Sequence, residues 1–241
     1  DDIISMGPGD QRPIENEDFY ITYYQNGSWT PAESMGEPVN TKLNEGAQSI
    51  SADGRYLFYT ACDNLETGFG SCDLYYSIRI GKQWSAPENC GTIINTADWE
   101  SQPSVSADGR ELFFSSARPG TLGSYDLWMA TLNEKGYWNE PVNLGATINT
   151  PYSEQCPFIH PDGKTLYFSS EGHPGMGSAD IFYSTRNENG EWSKPVNLGY
   201  PINTKNREIS LSVSSDGKTA YFSSDRGKEK DDLDIFSFEL P

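Results

Sequence analysis

Four glutamates recur at a nearly constant spacing, and carboxylates repeated in this way could hold a cation. They are Glu45, Glu100, Glu154 and Glu208. In a closed ring of repeats they would surround the axis as a carboxylate ring, where mutual repulsion raises pKa values. Alternatively, each glutamate accepts hydrogen bonds from backbone or hydroxyl groups where one repeat joins the next. Because every one of these repeats carries the glutamate alike, the structural alternative is favoured, and the sequence leaves open whether a metal ion binds.

Residue patterns typical of catalysis are missing from the sequence. A glycoside hydrolase would need paired carboxylates at a prescribed separation, but no Asp or Glu stands apart from the repeat in a recognisable motif. The chain has no Gly-x-Ser-x-Gly elbow and no Gly-x-x-x-x-Gly-Lys phosphate loop. Its two histidines are His160 and His173. We therefore predict a non-catalytic protein that uses no cofactor.

The cysteines bear on the compartment rather than on catalysis. Cys62, Cys72, Cys90 and Cys156 fit no standard zinc-ligand spacing. Cys62 and Cys72 bracket a loop between two strands that we expect to pair antiparallel, so a disulfide between them is geometrically reasonable. The alternative, two free thiols, stays open at this point. A disulfide would indicate an oxidising compartment.

The charge of the chain excludes several classes of partner. The 241 residues include 17 Lys and Arg against 35 Asp and Glu, a formal net charge of −18. Nucleic acids are held largely by basic phosphate contacts, so we predict no nucleic-acid partner. The same sign disfavours an anionic membrane surface. Because no apolar run approaches the roughly 18 residues of a membrane helix, we also predict no direct membrane insertion.

An internal repeat positions all of these residues. Asp-Gly recurs at Asp53-Gly54, Asp108-Gly109, Asp162-Gly163 and Asp216-Gly217, in steps of 55, 54 and 54 residues. A tryptophan and an Asn-Thr pair recur with the same step. The repeat divides a single domain, residues 1–241, into five units. These units span roughly 1–44, 45–99, 100–153, 154–207 and 208–241.

Each complete unit predicts four β-strands, which we name A to D in chain order. In the unit 154–207 they are the segment at Pro157-Phe158-Ile159, the segment 166–170 after the Asp-Gly turn, the segment 180–184, and the segment at 195–198. Strand B is apolar at consecutive positions, as expected for a strand buried on both faces. Four antiparallel strands in a repeat of this length favour an all-β propeller of four-stranded blades over a sandwich or a solenoid.

The strand count predicts five blades, of which the first and last are incomplete. Unit 1 supplies strands B, C and D at Ile3–Ser5, Asp18–Thr22 and the segment around Trp29, and unit 5 supplies A, B and C. We expect the missing D and A strands upstream of Asp1, with the D strand pairing with the last blade. A four-bladed ring with two surplus strands is the alternative.

The repeat sequences resemble a known family of propellers. The segments INTPYSEQCPFIHPDGKTLYFSSEGHPGMGSADIFYSTRNENGEWSKPVNLG and INTKNREISLSVSSDGKTAYFSSDRG are similar to WD40-like repeats related to TolB. More narrowly, they resemble the propeller of OmpA-family envelope proteins, including the PorE-type component of the type IX secretion system. The resemblance implies a protein-interaction scaffold in the periplasm of a Gram-negative cell, associated with the outer membrane. It implies envelope or secretion-system proteins as partners, with peptidoglycan bound only through domains outside this chain.

Four long loops are expected to crowd one face of the propeller and to carry recognition. They span 61–72, 117–125, 171–179 and 225–232 and differ far more than the strands do, which is typical of binding loops on a rigid scaffold. The candidate partner-binding residues on this face are Trp99, Arg118, Tyr152, His173, Met176 and Arg226. A glycan or peptidoglycan-fragment binder using Trp99, Tyr152 and the central carboxylates is an alternative. A glycoside hydrolase or lyase is a less favoured one.

Overall fold

The chain is built from β-strands, as the repeat predicts. The computed structural model describes residues 17–64, 66–214, 216–227 and 233–240, together with the backbone of 4–5 and 13–14. Within these ranges the strands form a propeller-like ring of four larger antiparallel sheets. No helix in the described ranges is long and apolar enough to cross a membrane.

Unit 1 forms short strand pairs. Its strands are β1 (Ile4–Ser5), β2 (Pro13–Ile14), β3 (Tyr20–Ile21), β4 (Tyr24–Gln25), β5 (Ser28–Trp29) and β6 (Glu33–Ser34). The predicted C and D strands correspond to β3–β4 and β5–β6, which pair with each other. Of the predicted B strand, Ile4–Ser5 is a β-strand and pairs with Pro13–Ile14. Ile3 lies outside the described residues.

Units 2, 3 and 4 contain the four predicted strands in the predicted order, and in unit 2 strand D is divided into two short strands that both pair with strand C. In unit 2 the strands are β7 (Asn44–Ile50), β8 (Tyr56–Cys62), β9 (Cys72–Ile80), β10 (Gln83–Trp84) and β11 (Glu88–Asn89). In unit 3 they are β12 (Glu100–Val105), β13 (Glu111–Ser116), β14 (Asp126–Thr131) and β15 (Val142–Asn143). In unit 4 they are β16 (Glu154–Ile159), β17 (Thr165–Ser170), β18 (Asp180–Thr185) and β19 (Val196–Asn197). Unit 5 contributes β20 (Glu208–Val213), β21 (Thr219–Ser224) and β22 (Asp234–Glu239).

The hydrophobic core lies between neighbouring sheets. Strand B is central in each large sheet, and the consecutive apolar residues Leu112, Phe113 and Phe114 of β13 are all fully buried. Because successive side chains of a strand point to opposite faces, such a strand contributes to the core on both sides. Phe113 accordingly packs with the unit 4 residue Leu166, and Phe114 packs in a cluster with the unit 2 residue Leu74.

The tryptophan that opens strand D packs against strand B of the preceding unit. The ring centroids are 6.3 Å apart for Trp138 and Phe58, and 6.1 Å apart for Trp192 and Phe113. Trp29 of unit 1 makes the same kind of contact with Tyr221 of unit 5, at 6.5 Å. The last unit of the chain therefore lies against the first, as in a closed ring.

Candidate functional site

An aspartate at the start of strand C holds each of the long loops in units 2, 3 and 4. Asp126 accepts hydrogen bonds from the backbone N–H groups of Leu122, at 2.7 Å, and Gly123, at 3.1 Å. Its carboxylate also accepts one from the amide of Asn143 in β15. Equivalent bonds join Asp73 to Phe69, Gly70 and Asn89, and Asp180 to Met176, Gly177 and Asn197. The loops are thus fixed by charge-assisted hydrogen bonds rather than left free.

In each loop, two consecutive backbone N–H groups donate to this aspartate. The first of these two residues has an exposed apolar side chain. Phe69 is 47% exposed, Leu122 is 52% exposed and Met176 is 51% exposed. All three occupy the position four residues before the aspartate, in successive units of the ring. Of these three residues only Met176 was predicted to contact a partner, because the shared position appears only when the loops are aligned on the aspartate.

The glycine that follows the apolar residue brings the loop against the connection that leads to the next unit. A Cβ atom added to Gly123 would lie 1.7 Å from the carbonyl oxygen of Tyr152. The adjacent Ser124 N–H donates to the same oxygen at 2.9 Å. Gly70 approaches Asp98, and Gly177 approaches Asn206, in the same way. This close packing confirms that the B-to-C loops and D-to-A connections share one face.

Two aromatic residues of the predicted set lie on this face. Tyr152 is 61% exposed, at the connection that Gly123 contacts. Trp99 is half-buried and packs against Tyr125, with ring centroids 4.6 Å apart. We define the loop-tip arc as Phe69, Leu122, Met176 and Tyr152.

The basic residues predicted to contact a partner are instead directed into the protein. Arg118 is buried, and its guanidinium donates to Ser116 Oγ and to the carbonyl oxygen of Ile94. Arg226 bonds in the same way to Ser224 Oγ and to the carbonyl oxygen of Ile202. The connections between units contain carbonyl oxygens that need hydrogen-bond donors. The two guanidinium groups therefore bond to these oxygens within the fold.

His173 has a similar role in unit 4. Its Nε2 lies 2.7 Å from the carbonyl oxygen of Ile148, and its ring packs against Phe182. The burial of Arg118 contradicts its predicted contact with a partner, whereas His173 and Arg226 are half-buried and bond to carbonyl oxygens of the fold. Of the fourth predicted loop, residues 228–232 lie outside the described residues.

The four recurring glutamates are buried where one unit joins the next. Glu154 accepts hydrogen bonds from Thr150 N at 2.6 Å, Thr150 Oγ1 at 2.8 Å and Ser170 Oγ at 2.6 Å. Thr41, Thr96 and Thr204 donate to Glu45, Glu100 and Glu208 through the same backbone and hydroxyl groups. Strand B serines also donate to Glu100, Glu154 and Glu208. Arg118 and Arg226 add ion pairs to Glu100 and Glu208, so these carboxylates are engaged by donors of their own units and of the adjacent loops.

Burial, rather than mutual repulsion, raises the pKa of two of these carboxyl groups, those of Glu45 and Glu154. Desolvation is the main cause of the raised pKa of Glu45 and of Glu154, and hydrogen bonds from Thr41 and from Ser170 and Thr150 oppose it. The expected cause of the shift was thus wrong. In the described part of the chain, no group of three or more His, Cys, Asp or Glu residues could hold a metal ion.

Cys62 and Cys72 form a disulfide across the paired ends of β8 and β9. It closes the loop that presents Phe69. Cys90 and Cys156 carry free thiols whose pKa values are raised by burial, so neither is a ready nucleophile.

We expect the double variant Cys62→Ser/Cys72→Ser to lose about 2–3 kcal/mol of unfolding free energy, because the cross-link restricts the unfolded chain. Urea denaturation with and without reductant measures the effect. Reductant should destabilise the native protein and leave the double variant unchanged. Equal stability of the oxidised and reduced native protein would contradict the prediction.

A polar cleft of about 420 Å³ opens on the opposite face, between the A-to-B turns of units 3 and 4. Arg186 donates to both carboxylate oxygens of Glu111, at 2.8 and 2.6 Å, and to the carbonyl oxygen of Gly163. The hydrogen bond to Glu111 raises the pKa of Arg186. Since this pair links unit 4 to unit 3, we interpret it as an interblade contact.

Comparison with solved structures shows the class of fold. The GH43 endo-arabinanase from Bacillus licheniformis is similar at a TM-score of 0.60 and 14% identity, over 94% of this chain and 87% of that one. TolB from Acinetobacter baumannii is similar at a TM-score of 0.57 and 13% identity, over 87% of this chain. This chain spans 43% of the length of that TolB. A putative TolB from Agrobacterium tumefaciens matches at 0.50 and 15% identity, over 87% of this chain and 80% of that one.

These likenesses establish a propeller-like fold of the TolB type. At such identities they carry information on the fold alone, since the same architecture occurs in TolB and in an arabinanase. No protein-family model matches the sequence, and no curated protein sequence is significantly similar to it.

Proposed function

We propose that this chain is a non-catalytic protein-interaction scaffold that binds its partner through the loop-tip arc. One observation carries the proposal: the same loop position in units 2, 3 and 4 holds an exposed apolar side chain, Phe69, Leu122 or Met176. A single exposed apolar residue is ordinary on a protein surface. Three at equivalent positions, with Tyr152 on the same face, give the loop face a recurring set of exposed apolar side chains, and we propose that together they form the interaction site.

The way the loops are held supports recognition. Each arc residue of these loops is fixed through its backbone N–H by a buried aspartate, so its side chain is free to contact a partner. A preorganised surface loses little conformational entropy on binding. The recurring carboxylates, in contrast, are occupied by donors of the chain itself, which supports a role without catalysis.

We further propose a five-bladed propeller in the periplasm of a Gram-negative cell, associated with the outer membrane. The contact between Trp29 and Tyr221 supports five blades, because it repeats the contact between consecutive units. The disulfide supports an oxidising compartment. The partner is an envelope or secretion-system protein, and the chain belongs to a larger OmpA-like protein whose other domains bind peptidoglycan.

Charge substitution in the arc tests the proposal. We expect the variant Phe69→Asp/Leu122→Asp/Met176→Asp to bind its envelope partner at least about tenfold more weakly, since buried apolar anchors dominate interface energies. Cross-linking identifies the protein captured from envelope extracts, and titration with that purified protein gives the affinities. Variant folding is checked by thermal denaturation.

The matched control changes apolar residues that are also exposed but lie outside the loops: Ile80→Asp, Val142→Asp and Val196→Asp. The control should retain native affinity. Equal loss in both variants, or full binding by the arc variant, would overturn the proposed surface. Turnover of arabinan or another glycan by the native chain would favour the hydrolase alternative instead.

A further inference from the structure

The three loops of the loop-tip arc are each held by a buried carboxylate that no cation neutralises. Asp73, Asp126 and Asp180 are fully buried and accept hydrogen bonds from two backbone N–H groups each. The third donor to each aspartate is an asparagine amide, so every donor is neutral. In the described part of the chain, none of the three forms an ion pair with Lys, Arg or His. Because buried charges are screened much less than exposed ones, the loop tips carry a negative potential.

Exposed carboxylates add to this potential around Phe69. Asp63 and Glu66 are exposed and lie in the loop that the disulfide closes, the loop that also presents Phe69. Asp98 is exposed on the connection that packs against this loop, where its carbonyl oxygen accepts from Ser71 N at 3.2 Å. The loop, residues 62–72, contains no Lys, Arg or His. Among the described residues, no basic side chain forms an ion pair with any of these three carboxylates.

The basic residues of the loop face do not offset this charge at unit 2. Arg118 forms its ion pair with the buried Glu100, and Arg226 forms its ion pair with the buried Glu208. Lys205 is exposed, but it lies in the connection that packs against the unit 4 loop. The loop face is therefore most acidic at unit 2, and its charges are closer to balance at unit 4.

We propose that the loop-tip arc binds a polypeptide segment in which apolar side chains alternate with Lys or Arg, with the most basic part of the segment over unit 2. This inference rests on the proposed function, because it names the kind of partner that the arc takes. The apolar side chains of the segment pack against the arc, and its basic side chains pair with Asp63, Glu66 and Asp98. Apolar anchors supply most of the affinity of such a contact, and complementary charges set its orientation and speed its formation.

Other occupants fit this surface less well. A second copy of this chain has a formal net charge of −18 and the same acidic loop, so two copies repel each other at this face. Sugar rings stack on flat aromatic side chains, whereas Leu122 and Met176 are not aromatic and Trp99 is half-buried against Tyr125. Methionine adapts its shape to apolar side chains of a protein partner. A basic, apolar polypeptide segment is therefore the occupant that these residues favour.

Selection from a library of short random peptides displayed on phage tests the inference with the 241-residue chain. Peptides are selected on the native chain and counter-selected on the variant Phe69→Ser/Leu122→Ser/Met176→Ser. Serine removes the apolar contacts without changing the charge of the face. We expect the retained peptides to be enriched in large apolar residues and in Lys or Arg, and to carry a net positive charge, because opposite charges attract across the interface.

Charge variants then locate the basic part of the segment. Synthetic copies of the retained peptides are titrated by fluorescence anisotropy. The variant Asp63→Asn/Glu66→Gln/Asp98→Asn should bind them about tenfold more weakly at low ionic strength, since three exposed charge pairs are lost. The loss should become smaller at high salt, because salt screens exposed charges. Thermal denaturation checks that the variants fold.

The matched control makes the same change in net charge at exposed positions away from the loop face: Glu134→Gln, Glu188→Gln and Glu239→Gln. It should bind the peptides like the native chain. Three results would overturn the inference and leave the proposed function intact: retained peptides without net positive charge, full binding by the Asp63/Glu66/Asp98 variant, and equal loss in that variant and the control. If every peptide bound by the native chain is bound equally by the serine variant, the proposed function is overturned together with the inference.

Discussion

Replacing Gly123 with alanine is expected to lower the free energy of unfolding by about 3 kcal/mol, the upper part of the range for overpacking. The added Cβ would lie 1.7 Å from the carbonyl oxygen of Tyr152 and 2.7 Å from that of Thr150. Both are backbone atoms, so they cannot rotate away as a side chain would. Either the loop or the connection must move, and the hydrogen bond from Ser124 to Tyr152 is lost when they separate.

Urea denaturation of the Gly123→Ala variant measures this effect. Gly46→Ala in β7 is the matched control, because its added Cβ meets only a Glu17 carboxylate oxygen at an ordinary 3.7 Å. The control should stay within about 1 kcal/mol of the native protein. If both variants lose the same stability, the close approach of loop and connection is not what makes glycine necessary at position 123.

The second large effect is expected at Glu154, where alanine should cost about 3 kcal/mol. The carboxylate accepts hydrogen bonds from the Thr150 backbone, the Thr150 hydroxyl and the Ser170 hydroxyl in a fully buried position. Its removal leaves these donors without their acceptor and opens a cavity between units 3 and 4. Denaturation of Glu154→Ala and Glu154→Gln measures the loss, which should be smaller for Gln because the amide keeps one oxygen acceptor.

The pH dependence of the unfolding free energy, compared between the native protein and Glu154→Gln, tests whether the pKa of the Glu154 carboxyl group is raised. Burial raises the folded-state pKa of Glu154 above its usual value of 4.5. The folded state then binds the proton more tightly than the unfolded chain, so this group contributes stability at low pH and loses it as pH rises through the folded pKa. The unfolding free energy of the native protein minus that of Glu154→Gln should therefore fall as pH rises above about 4.5, the usual pKa of the carboxyl group. A difference that is constant with pH would show that the pKa is not raised.

The sequence predicted where the loop face lies. Some of the residues that it predicted to contact a partner there are bonded within the fold instead. Arginine and histidine in long loops were expected to face a partner. Arg118 instead donates to Ile94, and His173 contacts Ile148. Connections between β-strands leave carbonyl oxygens without ladder partners, and a long cationic side chain nearby satisfies them at close range. Single-sequence patterns do not show which loop carbonyl is within reach.

The arc residues Phe69 and Leu122 were missed for a related reason. Their loops differ in length and composition, so the common position appears only when it is counted back from Asp73 and Asp126. The available signal was an apolar residue followed by glycine, ahead of the recurring aspartate. It became informative once the aspartate was seen to bind the backbone and leave the side chain exposed.

The sequence by itself determined the repeat, the all-β class, the order of strands in units 2 to 4 and the structural place of the glutamates. These follow from spacing and local chemistry, since a 54-residue step with apolar central strands has few ways to bury its core. Only the tertiary structure decided which loop side chains are free and which side chains bind the backbone of strand C. Both depend on neighbours more than 20 residues away or in another unit, such as the carbonyl group of Ile94 that holds Arg118 and the side chain of Asn203 that binds the backbone of Ile181. Periodicity reports the chemistry of a position but not whether its distant partner is in place.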